Sequence, residues 1–225
     1  MSQAPTSPLP SLATQSLGMS YGTRQVIEGL DISLPSGQVT AIVGPNGCGK
    51  STLLAGLARL HKPDSGAVLL DGADIQRLPT RQLATQLALL PQEAVAPEGL
   101  TVTELIRFGR QPHQGWLRQW SAEDQRVVQH ALDLGHQIEV FELVKHLAHH
   151  GRTVVMVLHD LASACRYADH LIAMREGQIV AEGPPAAVVT PDLVRTLYQV
   201  ECTLLTDPDT GSPLLANVRR SRVGA

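Results

Sequence analysis

Apolar positions along this chain fall into two patterns. Short blocks without polar alternation, QVTAIV (38–43), LALLPQ (87–92) and RTVVMVLHD (152–160), have the form of strands buried in a parallel sheet. Between and after them, STLLAGLARL (51–60), PTRQLATQ (79–86) and LASACRYA (161–168) read as helices, the second opened by proline. A strand from about Thr14 leads into Tyr21, followed by QVIEGLDISLPSG with a turn at Pro35–Gly37, and GAVLLDG (66–72) is another short strand. Residues 101–148 are helical throughout, broken near Pro112 and Gly115. Within that stretch Val127, Ala131, Leu134, Ile138 and Phe141 recur at helical spacing. Periodicity therefore predicts one amphipathic helix over 121–148, with Gly135 inside it at a cost of about 1 kcal/mol relative to alanine. HLIAMREG and QIVAEG add strands before a mixed tail. Strands alternating with helices predict an α/β domain with a largely parallel sheet.

Composition narrows the class without naming it. The 225 residues are 43% hydrophobic and 17% charged, with a net charge of −3, enough for one globular core or a core with a small subdomain. A slightly acidic chain gives no sign of non-specific nucleic-acid binding. The longest aliphatic run, Val154 to Leu158, is far too short to span a bilayer. The start, MSQAPTSPLPSLATQS, is polar and rich in Pro, Ser and Thr, and reads as a disordered tail over 1–13 rather than a signal peptide. Cys48, Cys165 and Cys202 are odd in number and widely spaced, which fits a reducing compartment, the cytosol.

One segment carries specific chemistry. Gly44-Pro45-Asn46-Gly47-Cys48-Gly49-Lys50-Ser51 matches G-x-x-x-x-G-K-[ST] after a buried strand and before a helix. Glycines let backbone N–H groups turn inward around phosphate oxygens, and the following helix, running through Thr52, adds free amides and its dipole. Lys50 can reach β- and γ-phosphates, and the Ser51 hydroxyl can ligate Mg²⁺. Cys48 lies inside the loop without an evident base beside it, so it reads as a space-filling residue.

GPNGCGKSTLL, together with Tyr21 upstream, the strand-terminal Gln92 in LLPQ and the strand-terminal His159 in VLHD, resembles the nucleotide-binding subunit of an ABC transporter. The resemblance covers roughly residues 14–215. It implies an α/β fold: a P-loop NTPase core with a mostly parallel sheet, antiparallel N-terminal strands, a helical subdomain of which 96–134 is a remnant, and a C-terminal tail over 216–225. It further implies that Tyr21 stacks on adenine, that Gln92 contacts Mg²⁺, the attacking water and the membrane partner, and that His159 contacts the γ-phosphate. ATP and Mg²⁺ are the expected ligands. A transmembrane permease and a second nucleotide-binding subunit are the expected partners, at the cytoplasmic face of the plasma membrane, with no nucleic acid. TVTELIRFGRQPH (101–113), SAEDQRVVQHAL (121–132) and the tail from Gly183 are similar to importers of ferric siderophores, haem and cobalamin.

Two parts of that machinery are missing from the sequence. The family places an LSGGQ-type signature and a strand ending in Asp-Glu between the helix SAEDQRVVQHALDL and the His159 strand. That interval here contains only GHQIEVFELVKHLAHHG. LPSGQ (34–38) imitates the signature but lies in the turn before the phosphate-loop strand, and VLLDG (68–72) ends in a turn without a following Glu. Glu139 and Glu142 fit a solvated helix face, and His146, His149 and His150 fit a helix C-terminus better than a metal site. The resemblance therefore implies that several dozen residues have been lost at about 134–136. Both composite sites of a dimer would be defective, and the strands flanking the lost one would close up or leave backbone groups unpaired. The sequence leaves three readings open: an ATP hydrolase driving import of an iron chelate, a non-hydrolysing ATP-binding module, or a deletion product without function.

Overall fold

The computed structural model describes residues 12–89, 101–113, 121–135 and 140–220. Two compact units partition the chain, one built from 1–76 and 144–225 and the other from 77–143.

In the first unit, β1 (Leu12–Tyr21) pairs antiparallel with β2 (Arg24–Leu34) and with β4 (Ser65–Leu70), and β4 continues into β5 (Ala73–Asp74). Asp71 and Gly72 both have positive φ and close the β4–β5 hairpin, so VLLDG is a turn. LPSGQ is also a turn, with Gly37 at φ 69°.

The second sheet of this unit has the order β6-β3-β7-β8. At its centre is β3 (Val39–Val43), every residue of which is buried. It runs parallel to β6 (Val154–Val157) and to β7 (His170–Arg175), while β8 (Gln178–Gly183) returns antiparallel to β7. The helix α1 (Lys50–Leu57) follows β3. It approaches β1 closely at Gly56, where an added Cβ would stand 2.6 Å from the Met19 sulfur. Behind β3 and β7, α6 (Leu161–Tyr167) and α8 (Pro191–Tyr198) bury Leu161, Ala164, Leu193, Val194 and Leu197 against Ala41, Val43, Leu171 and Ala173, with Val188 of α7 (Pro185–Val188) packed against them. A hairpin of β9 (Val200–Thr206) and β10 (Pro213–Arg220) completes the unit.

The second unit contains α2 (Thr80–Gln86), α3 (Val102–Phe108), a 3₁₀ turn at Gln111–His113 and α4 (Ala122–Gly135). Reciprocal caps start α3 and α4. Thr101 and Glu104 bond each other's backbone amides at α3, and Ser121 and Asp124 do the same at α4. The helix α5 (Val140–His149) spans the boundary between the units, and its Val144 and Ala148 pack with Val39.

Several expectations need correction. β1 starts at Leu12, inside the predicted 1–13 tail, and β10 carries the fold to Arg220, inside the predicted 216–225 tail, because cross-strand pairing orders both segments. The second compact unit begins at Arg77, well before residue 96, because α2 belongs to it. The predicted single helix over 121–148 is described as two, α4 ending at Gly135 and α5 starting at Val140, and residues 136–139 lie outside the described residues. Leu87–Leu89 are not strand, and the remainder of the predicted LALLPQ strand lies outside the described residues. The His159 strand was expected to be buried. Among the described residues β6 is instead a sheet edge, and its four residues are only partly buried because no strand flanks their outer side.

Candidate nucleotide site

Parallel pairing decides the site. Because β3 and β6 run in the same direction with Ile42 opposite Val157, the loops after both strands emerge at one end of the sheet. The phosphate-loop sequence leaves β3 there, and His159 follows β6. Both line one cleft of roughly 620 Å³, walled by Gly44, Pro45, Asn46, His159 and Leu197–Gln199.

The loop conformation requires glycine. Gly44 has φ 146°, and a Cβ there would lie 2.1 Å from the Met174 carbonyl oxygen. Gly49 has φ 106° at the N-cap of α1, turning the chain so that the first-turn amides face the loop. Lys50 is 5% exposed, and its ammonium donates to the carbonyls of Gly44 and Pro45, both at 2.8 Å. A buried cation without such partners would cost several kcal/mol, so these bonds hold the loop closed around its own lysine. The Cys48 sulfur stands 3.9 Å from the same nitrogen and is buried, the space-filling place expected for it. Thr52 is buried beneath the helix start, whereas Ser51 is exposed at the first turn, where its hydroxyl offers the hard oxygen that Mg²⁺ prefers.

A second cleft, of roughly 420 Å³, extends the loop surface past Arg24, Val26, Pro45–Cys48 and Arg175–Gly177. Arg24 is opposite Tyr21 in the β1–β2 register, so the turn bearing Tyr21 borders this cleft. Tyr21 itself is half-exposed and in contact with the His61 ring. On the other side, Asp160 caps α6 by accepting from the amides of Ala162 and Ser163, which fixes the chain directly after His159. The Ser163 hydroxyl, with those amides, holds the Asp160 carboxyl below the usual range. Burial, with Asp160 nearby, pushes the Cys165 thiol up to about 11, which makes it inert as a nucleophile.

The structure thus brings together the phosphate loop and His159, with Arg24, the register partner of Tyr21, on the neighbouring cleft; Tyr21 itself walls neither cleft, and Gln92 lies outside the described residues. No cluster of three or more metal-ligating side chains occurs among the described residues, which include His146, His149 and His150. Sequence reasoning missed two contributors. The segment Leu197–Gln199 walls the His159 cleft, and His61 holds Tyr21. Thr190-Pro191 signals the start of α8, but nothing local in the sequence places the end of that helix at the phosphate loop.

Comparison with known proteins bears on what this site belongs to. The family described as ABC transporter matches residues 27–160, more than half of the chain. The chain belongs to the ABC transporter family. It is 42% identical to a petrobactin import ATP-binding protein of Bacillus anthracis, over 91% of this chain and 92% of that protein. It is 40% identical to a probable siderophore transport system ATP-binding protein of Bacillus subtilis (strain 168), over 94% of each. Against the ferric enterobactin transport ATP-binding protein of Escherichia coli (strain K12), identity is 38% over 93% of this chain and 95% of the other. Among solved structures, one described as an inward-facing metal-chelate type ABC transporter matches with a TM-score of 0.73 at 19% identity, covering 92% of this chain and 96% of that one. The ABC ATPase fold is therefore this chain's fold. The petrobactin alignment runs over 251 positions but includes 91% of 225 residues, about 205, so about 46 positions have no residue here.

Proposed function

We propose that this chain is the ATP-binding subunit of an importer for ferric siderophores or related iron chelates, coupling ATP to transport, with the hydrolytic step impaired in this chain. The observation that carries the reading is the convergence of the Lys50 loop and His159 on one cleft through the β3–β6 pairing. Phosphate oxygens would take the loop amides, and Lys50 would exchange at least one of its loop carbonyls for the β- and γ-phosphates. His159 would face the γ-phosphate, Tyr21 would stack on adenine, and Ser51, with Gln92, would hold Mg²⁺, which supplies charge neutralisation between the phosphates. The relatives named as siderophore import subunits support the substrate class, which partner subunits would handle. A permease and a second nucleotide-binding subunit are the partners of this reading, with the chain peripheral at the cytoplasmic membrane face. Among the described residues no helix is long and apolar enough to cross a membrane.

The hydrolytic defect rests on the absent signature and Asp-Glu strand. The unmatched positions in the alignments support a loss of several dozen residues, and motif order puts it between Leu134 and His136. Among the described residues β6 is a sheet edge, which supports it as well, since the family's lost strand belongs beside the His159 strand. Phosphoryl transfer to water depends on positioning, so losing the water-orienting carboxylate removes most of the rate. The purified chain is expected to hydrolyse Mg²⁺-ATP no faster than Lys50→Ala while binding ATP more tightly than that variant. Hydrolysis well above the Lys50→Ala level would show that the catalytic parts are present; equal ATP affinity would show that the loop is not the site.

A further inference from the structure

Tyr21 ends β1 with 54% of its surface exposed. An aromatic side chain so exposed has several rotamers open to it unless a neighbour selects one. His61 is that neighbour. Its ring centroid lies 4.8 Å from that of Tyr21 at an interplanar angle of 35°, within the range where aromatic pairs attract beyond the area they bury. The imidazole is held in turn, because Nε2 lies 3.0 Å from the Ser20 carbonyl oxygen. A carbonyl only accepts, so Nε2 carries the proton. The backbone beneath the ring is anchored too, since the amides of Leu60 and His61 both donate to the Ala55 carbonyl in α1. That helix begins at Lys50.

We propose that His61 is a positioning residue for the purine base. It backs one face of Tyr21, leaves the other face to stack on the base, and links base recognition to the helix that carries the phosphate-binding lysine. The inference rests on the reading of Tyr21 as the adenine platform and goes beyond it by naming what orients the ring. A base-directed role separates experimentally from a general one, because inorganic tripolyphosphate presents the phosphates alone.

Calorimetric titration of the full chain with ATP and, separately, with tripolyphosphate tests this. His61→Ala is expected to weaken ATP binding about threefold to tenfold, the worth of an aromatic pair, and to leave tripolyphosphate binding unchanged. His61→Phe, which keeps a ring, is expected to bind ATP like the unsubstituted chain. His61→Gln, which keeps a donor for Ser20 without an aromatic face, is expected to behave like His61→Ala. Equal losses for both ligands in His61→Ala would overturn the proposal, as would rescue by Gln but not by Phe. Full ATP affinity in Tyr21→Ala would instead refute the adenine platform itself, and undiminished tripolyphosphate binding in Lys50→Ala would refute the phosphate loop.

Discussion

Two glycines of the phosphate loop, Gly44 and Gly47, separate steric from conformational cost. Both have positive φ, 146° and 78°, so alanine is strained at either. Restricting the unfolded chain stabilises both variants by a similar ~0.4–1 kcal/mol, which cancels in the comparison. Their surroundings differ. A Cβ at Gly47 meets nothing within 4 Å, whereas one at Gly44 would be 2.1 Å from the Met174 carbonyl oxygen and 2.9 Å from the Cys48 sulfur. The Met174 oxygen is backbone of β7, beside β3, so relief requires moving a strand of the central sheet. Gly47→Ala should cost about 1 kcal/mol, the left-handed penalty alone. Gly44→Ala adds overpacking and a more restricted region of backbone space, for a total of about 4 kcal/mol. For a chain of this size each kcal/mol moves the melting temperature by about 2–4 °C, so the two variants should differ by about 9 °C. Thermal denaturation followed by circular dichroism reads the difference directly. Equal shifts would refute the claim that close approach of β7, rather than backbone conformation alone, requires glycine at 44.

Two further outcomes are expected. The amides of Val154 and Leu158 donate to the carbonyls of Gln38, just before β3, and of Ile42 in β3, so the intervening Val155 and Val157 amides point to the outer edge of β6. Hydrogen exchange should be much faster at Val155 and Val157 than at Val154 and Leu158, and equal protection would mean that another strand covers this edge. In the second unit, the hydroxyl and amide of Ser121, together with Arg110, lower the Asp124 carboxyl to about 2. Its folded value lies below the unfolded one near 4, so its contribution is full above about pH 4 and is lost as pH falls toward 2. Amide protection in α4, taken relative to the intrinsic exchange rate at each pH, should fall through that window in the unsubstituted chain and vary less with pH in Asp124→Asn; identical profiles would remove Asp124 from the cause.

The phosphate loop was legible in the sequence because its determinants are contiguous. A buried strand, positive-φ glycines and a helix start need no distant residue to be recognised, and each occurs where the sequence placed it. The imitations were legible for the same reason, since Pro35–Gly37 and Asp71–Gly72 carry turn chemistry in their own residues. Tertiary structure decided the rest. Only the parallel register of Ile42 with Val157 puts His159 at the loop, and only the end of α8 walls the cleft between them. The inward fold of Lys50 onto Gly44 and Pro45, and the contact of His61 with Tyr21, likewise depend on groups that local periodicity does not specify. Hydrophobic pattern also made β6 a buried strand, because VVMV carries the same apolar residues whether or not a neighbour is present. A strand's composition records the environment it suits, whereas its burial depends on which other segments pair with it.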